Sequence, residues 1–275
     1  MSTRTLQRVI AAIPASDGAG VKLQRSLGQS NWARLDPFLM LDHFSSDNPN
    51  DYIAGFPAHP HRGFETVTYM LDGHMRHQDH LGNTGDLKAG GVQWMSAGRG
   101  IIHSEMPQQE AGRMRGFQLW INLPAKEKMR APWYADIPAS AIPSFDVGAA
   151  TVKLISGEWD GHKGPGPERV TQPFVADVSL PANAAVELPL PDGHAGFVYA
   201  FEGELRVGNE SIAKGKIGVL SPNGALQASA GANGARFLVV AGKPLREPIA
   251  KYGPFVMNTA DEIRAAISDY QNGRF

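Results

Sequence analysis

Two short segments carry side chains able to grip a metal: His59-Pro60-His61 and, far downstream, His103-Ser104-Glu105. In each, the metal-competent residues stand two apart. On a β-strand such residues project from one face, so three imidazoles and one carboxylate can converge inside a barrel. Such a set leaves positions open on a six-coordinate ion, as a centre must if it is to meet substrate or dioxygen. The donors suit Fe(II), Mn(II), Ni(II) or Zn(II), with copper a further candidate, and donor type alone does not choose among them. A closed tetrahedral zinc site is the plainer alternative.

Strands must therefore position these residues, and the chain is punctuated accordingly. Its 31 Gly and 20 Pro cut the apolar runs to strand length. Thr66 to Leu71 is rich in strand formers and ends in Asp72-Gly73, a two-residue hairpin signal. Val92 to Met95, Ile101 to Met106 and Phe117 to Leu123 repeat the pattern. The last alternates Phe117, Leu119 and Ile121 against Gln118, Trp120 and Asn122, and the second set could line a cavity. Helical spacing is confined to the end, where Thr259-Ala260-Asp261-Glu262 is a capping-box signature and Ile263, Ala266, Ile267 and Tyr270 recur at helical period. The expectation is an all-β body with one short C-terminal helix.

Composition narrows the classes. Lys+Arg 26 against Asp+Glu 27 gives a net charge of −1, and no basic run offers a partner surface to nucleic acid or to an anionic membrane. Zero cysteines exclude disulfides and thiolate metal sites. The apolar run Val9 to Ala15 is short for a signal-peptide core and reads as a buried first strand; no segment approaches the roughly 20 apolar residues of a membrane span. A cytoplasmic location is expected.

The second half reads as a worn copy of the first. Tyr69-Met70-Leu71-Asp72-Gly73 has a counterpart in Tyr199-Ala200-Phe201-Glu202-Gly203, and Gln93 to Ser96 a looser one in Gly218 to Ser221. These matches set Pro189 and Pro191 opposite His59 and His61, and Ala228 and Ala230 opposite His103 and Glu105. Only the first copy keeps metal donors. The expected division is 1–140, bearing the metal, and 141–275, lacking ligands and ending in the helix, with 157–167 an exposed loop.

The spacing Gly55…His59-x-His61-x3-Glu65…Gly73 resembles the first motif of the cupin superfamily. More specifically, His59 to Thr68, Trp94 to Pro107 and Pro254 to Thr259 resemble the pirin family, as do Leu35 to Phe44 and Pro244 to Pro248. The resemblance runs over nearly the whole chain. It implies two antiparallel, jelly-roll-like cupin barrels, the first holding one divalent metal, usually iron. It also implies His59, His61, His103 and Glu105 as the metal ligands. Cupins commonly take their carboxylate from the position of Glu65, which stays an alternative ligand here because strand parity does not decide. The implied activity is quercetin 2,3-dioxygenase: ring cleavage of a flavonol by O2, with Glu105 as the base. The alternative is a non-enzymatic regulator or redox sensor acting through protein partners.

The other histidines carry less. His74, His77 and His80 flank a turn and read as solvated rather than as a second metal cluster, with a His77/Asp79 hydrogen bond across the barrel mouth as a further option. His43, His162 and His194 have no evident partner. Ser104, between two ligands, faces away from the metal.

Overall fold

Strand-forming residues between closely spaced turns give an all-β chain closed by one helix, in a computed structural model that describes residues 2–275. Two compact units are interleaved along the chain. One comprises Pro14–Arg25, Phe38–Ala139 and Leu245–Phe275; the other comprises the segment ending at Ile13, Ser26–Pro37 and Ser140–Pro244. The units thus depart from a linear division at residue 140, and the terminal helix belongs to the unit that contains His59.

In that unit a seven-stranded antiparallel sheet runs in the order Trp133–Ile137, Val92–Ser96, Phe64–Asp72, Met114–Asn122, Phe38–Ser46, Val21–Arg25, Ile13–Asp17. A four-stranded sheet has the order Phe56–His61, Ile101–Pro107, His74–Asp79, Thr84–Lys88. Phe44, Met70 and Met114 of the first pack with Phe56, Met75 and Leu87 of the second in one core cluster. Each such buried side chain contributes about 1.5–3 kcal/mol. The arrangement is a jelly-roll sandwich rather than a continuously hydrogen-bonded barrel.

Asp72-Gly73 does not close a hairpin. The chain leaves the seven-stranded sheet at Asp72 and enters the four-stranded sheet at His74, with Gly73 at φ +101°. A jelly roll needs such corners, and a left-handed glycine serves a corner as well as a hairpin.

The other unit holds a nine-stranded antiparallel sheet centred on Ala195–Val207 and Leu226–Gly242. The repeat is visible here: Tyr199 lies on a central strand of this sheet as Tyr69 does in the other. Ala228 and Ala230 are buried in its apolar core. The first strand, Leu6–Ala11, is an edge strand on Lys216–Leu220. Ile10 is buried, but Val9 is 40% and Ile13 44% exposed, so the run is not a buried strand; an edge position hides only part of it. Within 157–167, Glu158–Trp159 pairs with His162–Lys163 and Trp159 is buried, so this segment is a small hairpin rather than a plain loop.

The helix, Ala260–Gln271, starts at the expected capping box. Thr259 accepts from the Glu262 backbone N–H, while Glu262 accepts from Thr259 N–H. Ile263 and Ala266 bury against Phe255 and Met257. Among the described residues no helix is long and apolar enough to cross a membrane.

Candidate metal centre

The strands Phe56–His61 and Ile101–Pro107 are antiparallel neighbours, and their register sets His59 directly opposite His103. His61 follows on the same face. The three rings close on one another, with centroids 4.7 Å (His59–His61), 4.4 Å (His59–His103) and 4.9 Å (His61–His103) apart. One nitrogen of each lies within 4.8 Å of the others. Among the described residues this is the one such group of histidine and acidic side chains.

The protonation pattern suits a cation. His59 Nδ1–H donates to the Pro57 carbonyl oxygen at 2.8 Å, which leaves a lone pair on Nε2. That Nε2 lies 3.0 Å from His61 Nε2, close to the spacing of about 3–3.5 Å between nitrogens that share an ion at about 2.1 Å. Burial, and then the neighbouring His59, push His61 well below its ordinary 6.5. Burial, and then His61, His59 and His77, do the same to His103. Both are neutral imidazoles at physiological pH, the form a metal requires. His103 Nε2 is buried without a hydrogen-bond partner. The site therefore fits a divalent ion.

Glu105 lies two residues beyond His103 and is buried, but it is not among the clustered donors. The pairing with Phe56–His61 slips between His103 and Glu105, where a register shift interrupts the ladder. The Glu105 carboxylate accepts from Gln118 Nε2 at 3.2 and 3.1 Å and from Thr68 Oγ1 at 3.4 Å. Glu65 sits on the seven-stranded sheet, where its Oε2 accepts from the indole N–H of Trp94 at 3.1 Å. It is likewise outside the cluster.

His77 departs from the solvated reading. It is 2% exposed, and its Nδ1 lies 3.3 Å from His103 Nδ1. Alternation along His74–Asp79 puts Met75 and His77 inward, a signal the sequence held in its polar-apolar pattern. Asp79 does not bond to His77; it accepts from Leu81 and Asn83 within its own turn. His74 pairs with Asp86, and exposed His80 accepts from Ile102 N–H. His43 stacks on Phe117 and His162 on Phe145.

A cleft of about 630 Å³ opens on the centre, lined by His59, His61, Gln118, Trp120, Arg25 and Lys251 among others. The volume suits a drug-sized ligand. Of the strand face singled out in the sequence, Gln118 and Trp120 line it, whereas buried Asn122 accepts from the Lys128 ammonium. Arg25 is neutralised by Asp42 and Asp17. Lys251 Nζ lies 5.0 Å from the Trp120 ring centre. Arg25 and Lys251 are remote in sequence from the histidines and carry no motif, so no local signal could have found them.

The C-terminal segment is bonded to the residue that follows His61. Arg62 N–H donates to the Pro254 carbonyl and Val256 N–H to that of Arg62. The Arg62 guanidinium pairs with Asp269 at 2.8 Å and lies 4.4 Å from the Phe275 ring centre.

Comparison with known proteins agrees with this architecture. Two family models match, Pirin over residues 20–121 and Pirin C-terminal cupin domain over 175–275. The chain is 53% identical over 268 residues to the putative quercetin 2,3-dioxygenase of Pseudomonas aeruginosa, covering 94% of each. It is 40% identical to human pirin over 265 residues, 94% of this chain and 89% of that one. A crystal structure of quercetin 2,3-dioxygenase from Acinetobacter baumannii superposes with a TM-score of 0.92 at 33% identity, covering 100% of this chain and 99% of that one.

Proposed function

The chain belongs to the pirin family, and from that premise we propose that it is a metal-dependent dioxygenase that opens the heterocyclic ring of a flavonol such as quercetin with O2. The observation that carries the reading is the cleft itself: it joins three clustered imidazoles to a wall of aromatic and polar side chains, of a size that admits a planar polycyclic substrate. Names of relatives that include this activity support it.

His59, His61 and His103 would hold the ion, with Glu105 as a fourth ligand or as the base. A bound Fe(II) would supply Lewis acidity toward a substrate hydroxyl and a route for electrons to O2. Trp120 lines the cleft where the flavonol would lie. Glu105 takes a proton from a substrate hydroxyl, and Gln118, which lines the cleft, holds its carboxylate by hydrogen bonds. Lys251 faces the negative charge that this proton transfer leaves on the substrate.

The test is oxygen uptake and ring-cleavage product with anaerobically iron-loaded protein and a panel of flavonols, against a His59→Ala/His61→Ala control. Metal bound stoichiometrically without flavonol-dependent oxygen uptake would favour a regulator acting through protein partners instead.

A further inference from the structure

We propose that His77 is a positioning residue that fixes the tautomer of His103, so that the Nε2 lone pair of His103 is presented to the metal. The proposal rests on the assignment of His59, His61 and His103 as ligands.

The geometry begins with the sheet. The strands His74–Asp79 and Ile101–Pro107 pair antiparallel with Glu105 opposite His77 and His103 opposite Asp79. His77 is therefore the diagonal neighbour of His103 on the inward face, within reach of a long side chain. Both rings are 2% exposed, and their Nδ1 atoms are 3.3 Å apart. At that distance the N–H of one imidazole reaches the lone pair of the other, and the tautomer decides which ring donates.

A neutral imidazole carries a single N–H, so the owner of that shared proton dictates the state of the far side of both rings. If His103 donates, its Nε2 is a lone pair and His77 bears its proton on Nε2. If His77 donates, His103 bears N–H on Nε2 and the ligand atom is blocked. Each arrangement leaves one Nε2–H without a protein partner, because neither Nε2 has one. The surroundings separate the two. His77 lies opposite Glu105 in the ladder and is no member of the imidazole cluster, so a proton on its far nitrogen blocks no ligand atom. His103 closes the cluster with His61 and His59, whose own lone pairs are needed at the same point. The outer N–H thus falls to His77, and the inner lone pair to His103. Ligand histidines usually gain this orientation from a carboxylate, a backbone carbonyl or water; here a second buried imidazole supplies it.

The experiment reads the tautomer before any metal is added. In chelator-treated protein labelled with 15N-histidine, long-range proton–nitrogen spectra should show His103 protonated on Nδ1 and His77 on Nε2, with assignments from His77→Phe and His103→Gln. Fe(II) affinity, measured anaerobically by chelator competition, should fall about 10–100-fold in His77→Phe, the usual scale for loss of an outer hydrogen-bond partner. His77→Gln, whose amide oxygen can accept from His103, should recover most of it. A wild-type spectrum with His103 protonated on Nε2 would overturn the proposal, as would undiminished affinity in a folded His77→Phe protein. Should His77→Phe fail to fold, the wild-type spectrum decides alone. The expected tautomers in a protein that binds no Fe(II) would sink the metal-centre reading while leaving the hydrogen-bond direction intact.

Discussion

Gln118 Nε2 is shared between both carboxylate oxygens of Glu105, at 3.2 and 3.1 Å. The amide holds a buried carboxylate beside the imidazole cluster, so the two residues act as a pair. In iron-loaded protein Glu105→Gln is expected to keep metal yet lose turnover by about 10²–10⁴-fold, the range for removal of a general base. Gln118→Leu should cost about tenfold in kcat, matching one hydrogen bond to a charged group at about 1.5 kcal/mol. Steady-state oxygen uptake checks both. Unchanged turnover in fully loaded Glu105→Gln would remove the residue from the chemistry.

Loss of an imidazole should be read in metal content before activity. His61→Ala and His103→Ala each delete a buried donor from a three-member cluster and are expected to lower bound iron per chain by tenfold or more. Elemental analysis after purification with added Fe(II), with circular dichroism as the folding control, makes the measurement. Full metal occupancy in both variants would place the ion elsewhere.

The clustering of His59, His61 and His103 was legible in the sequence because strand parity is a local rule: His59 and His61 share a face in any β-strand, as do His103 and Glu105. What parity could not supply was the slip between strands at Glu105, which depends on the partner strand. Gln118 was visible as a cavity-lining residue, but its bond to Glu105 joins two different sheets. His77 looked solvated because it lies just past the Asp72-Gly73 turn, yet that turn is a corner that passes the chain into the four-stranded sheet, where His77 is buried. The terminal helix was found by its capping box. The unit it packs in was not, since interleaving of the chain leaves no local mark.

Gly63 joins the His59-His61 strand to the next one, at φ +88°. A Cβ there would lie 2.0 Å from the Val256 carbonyl oxygen. Gly63→Ala therefore combines left-handed strain with displacement of the segment that bonds to Arg62. A loss of about 2–4 kcal/mol is expected, read as a lowered urea midpoint. Stability within about 0.5 kcal/mol of wild type, the range for a neutral surface change, would show that the C-terminal segment is not held closely there.

Lys251 is an exposed cation on the cleft wall. Its attraction for an ionised flavonol crosses partly solvated space and is expected to be worth about 0.5–1 kcal/mol. Lys251→Met should raise KM about twofold to fivefold with kcat little changed, and the difference should shrink as salt is added. A fall in kcat at constant KM would instead place Lys251 in the chemical step.

Lys128 is 1% exposed, and its ammonium donates to the carbonyl oxygens of Gly63 and Val256 and to Asn122 Oδ1 at 2.6, 3.0 and 2.6 Å. Burial pushes it down to about 8 from 10.5. At pH 7 it is still charged, and its three protons match three acceptors. Between about pH 8 and 10.5 the unfolded chain holds this proton while the folded chain does not, so the unfolded state binds more protons and unfolding free energy rises with pH. Lys128→Met lacks this titration. The stability gap in favour of wild type should therefore widen between pH 7 and 9.5 by about 2 kcal/mol, at about 1.4 kcal/mol per pH unit above 8. Paired urea denaturations at the two pH values measure it, because every other titrating group is common to both proteins. A constant gap would mean that the three acceptors offset the burial in full. A narrowing gap would mean that they exceed it and hold the ammonium above its ordinary range.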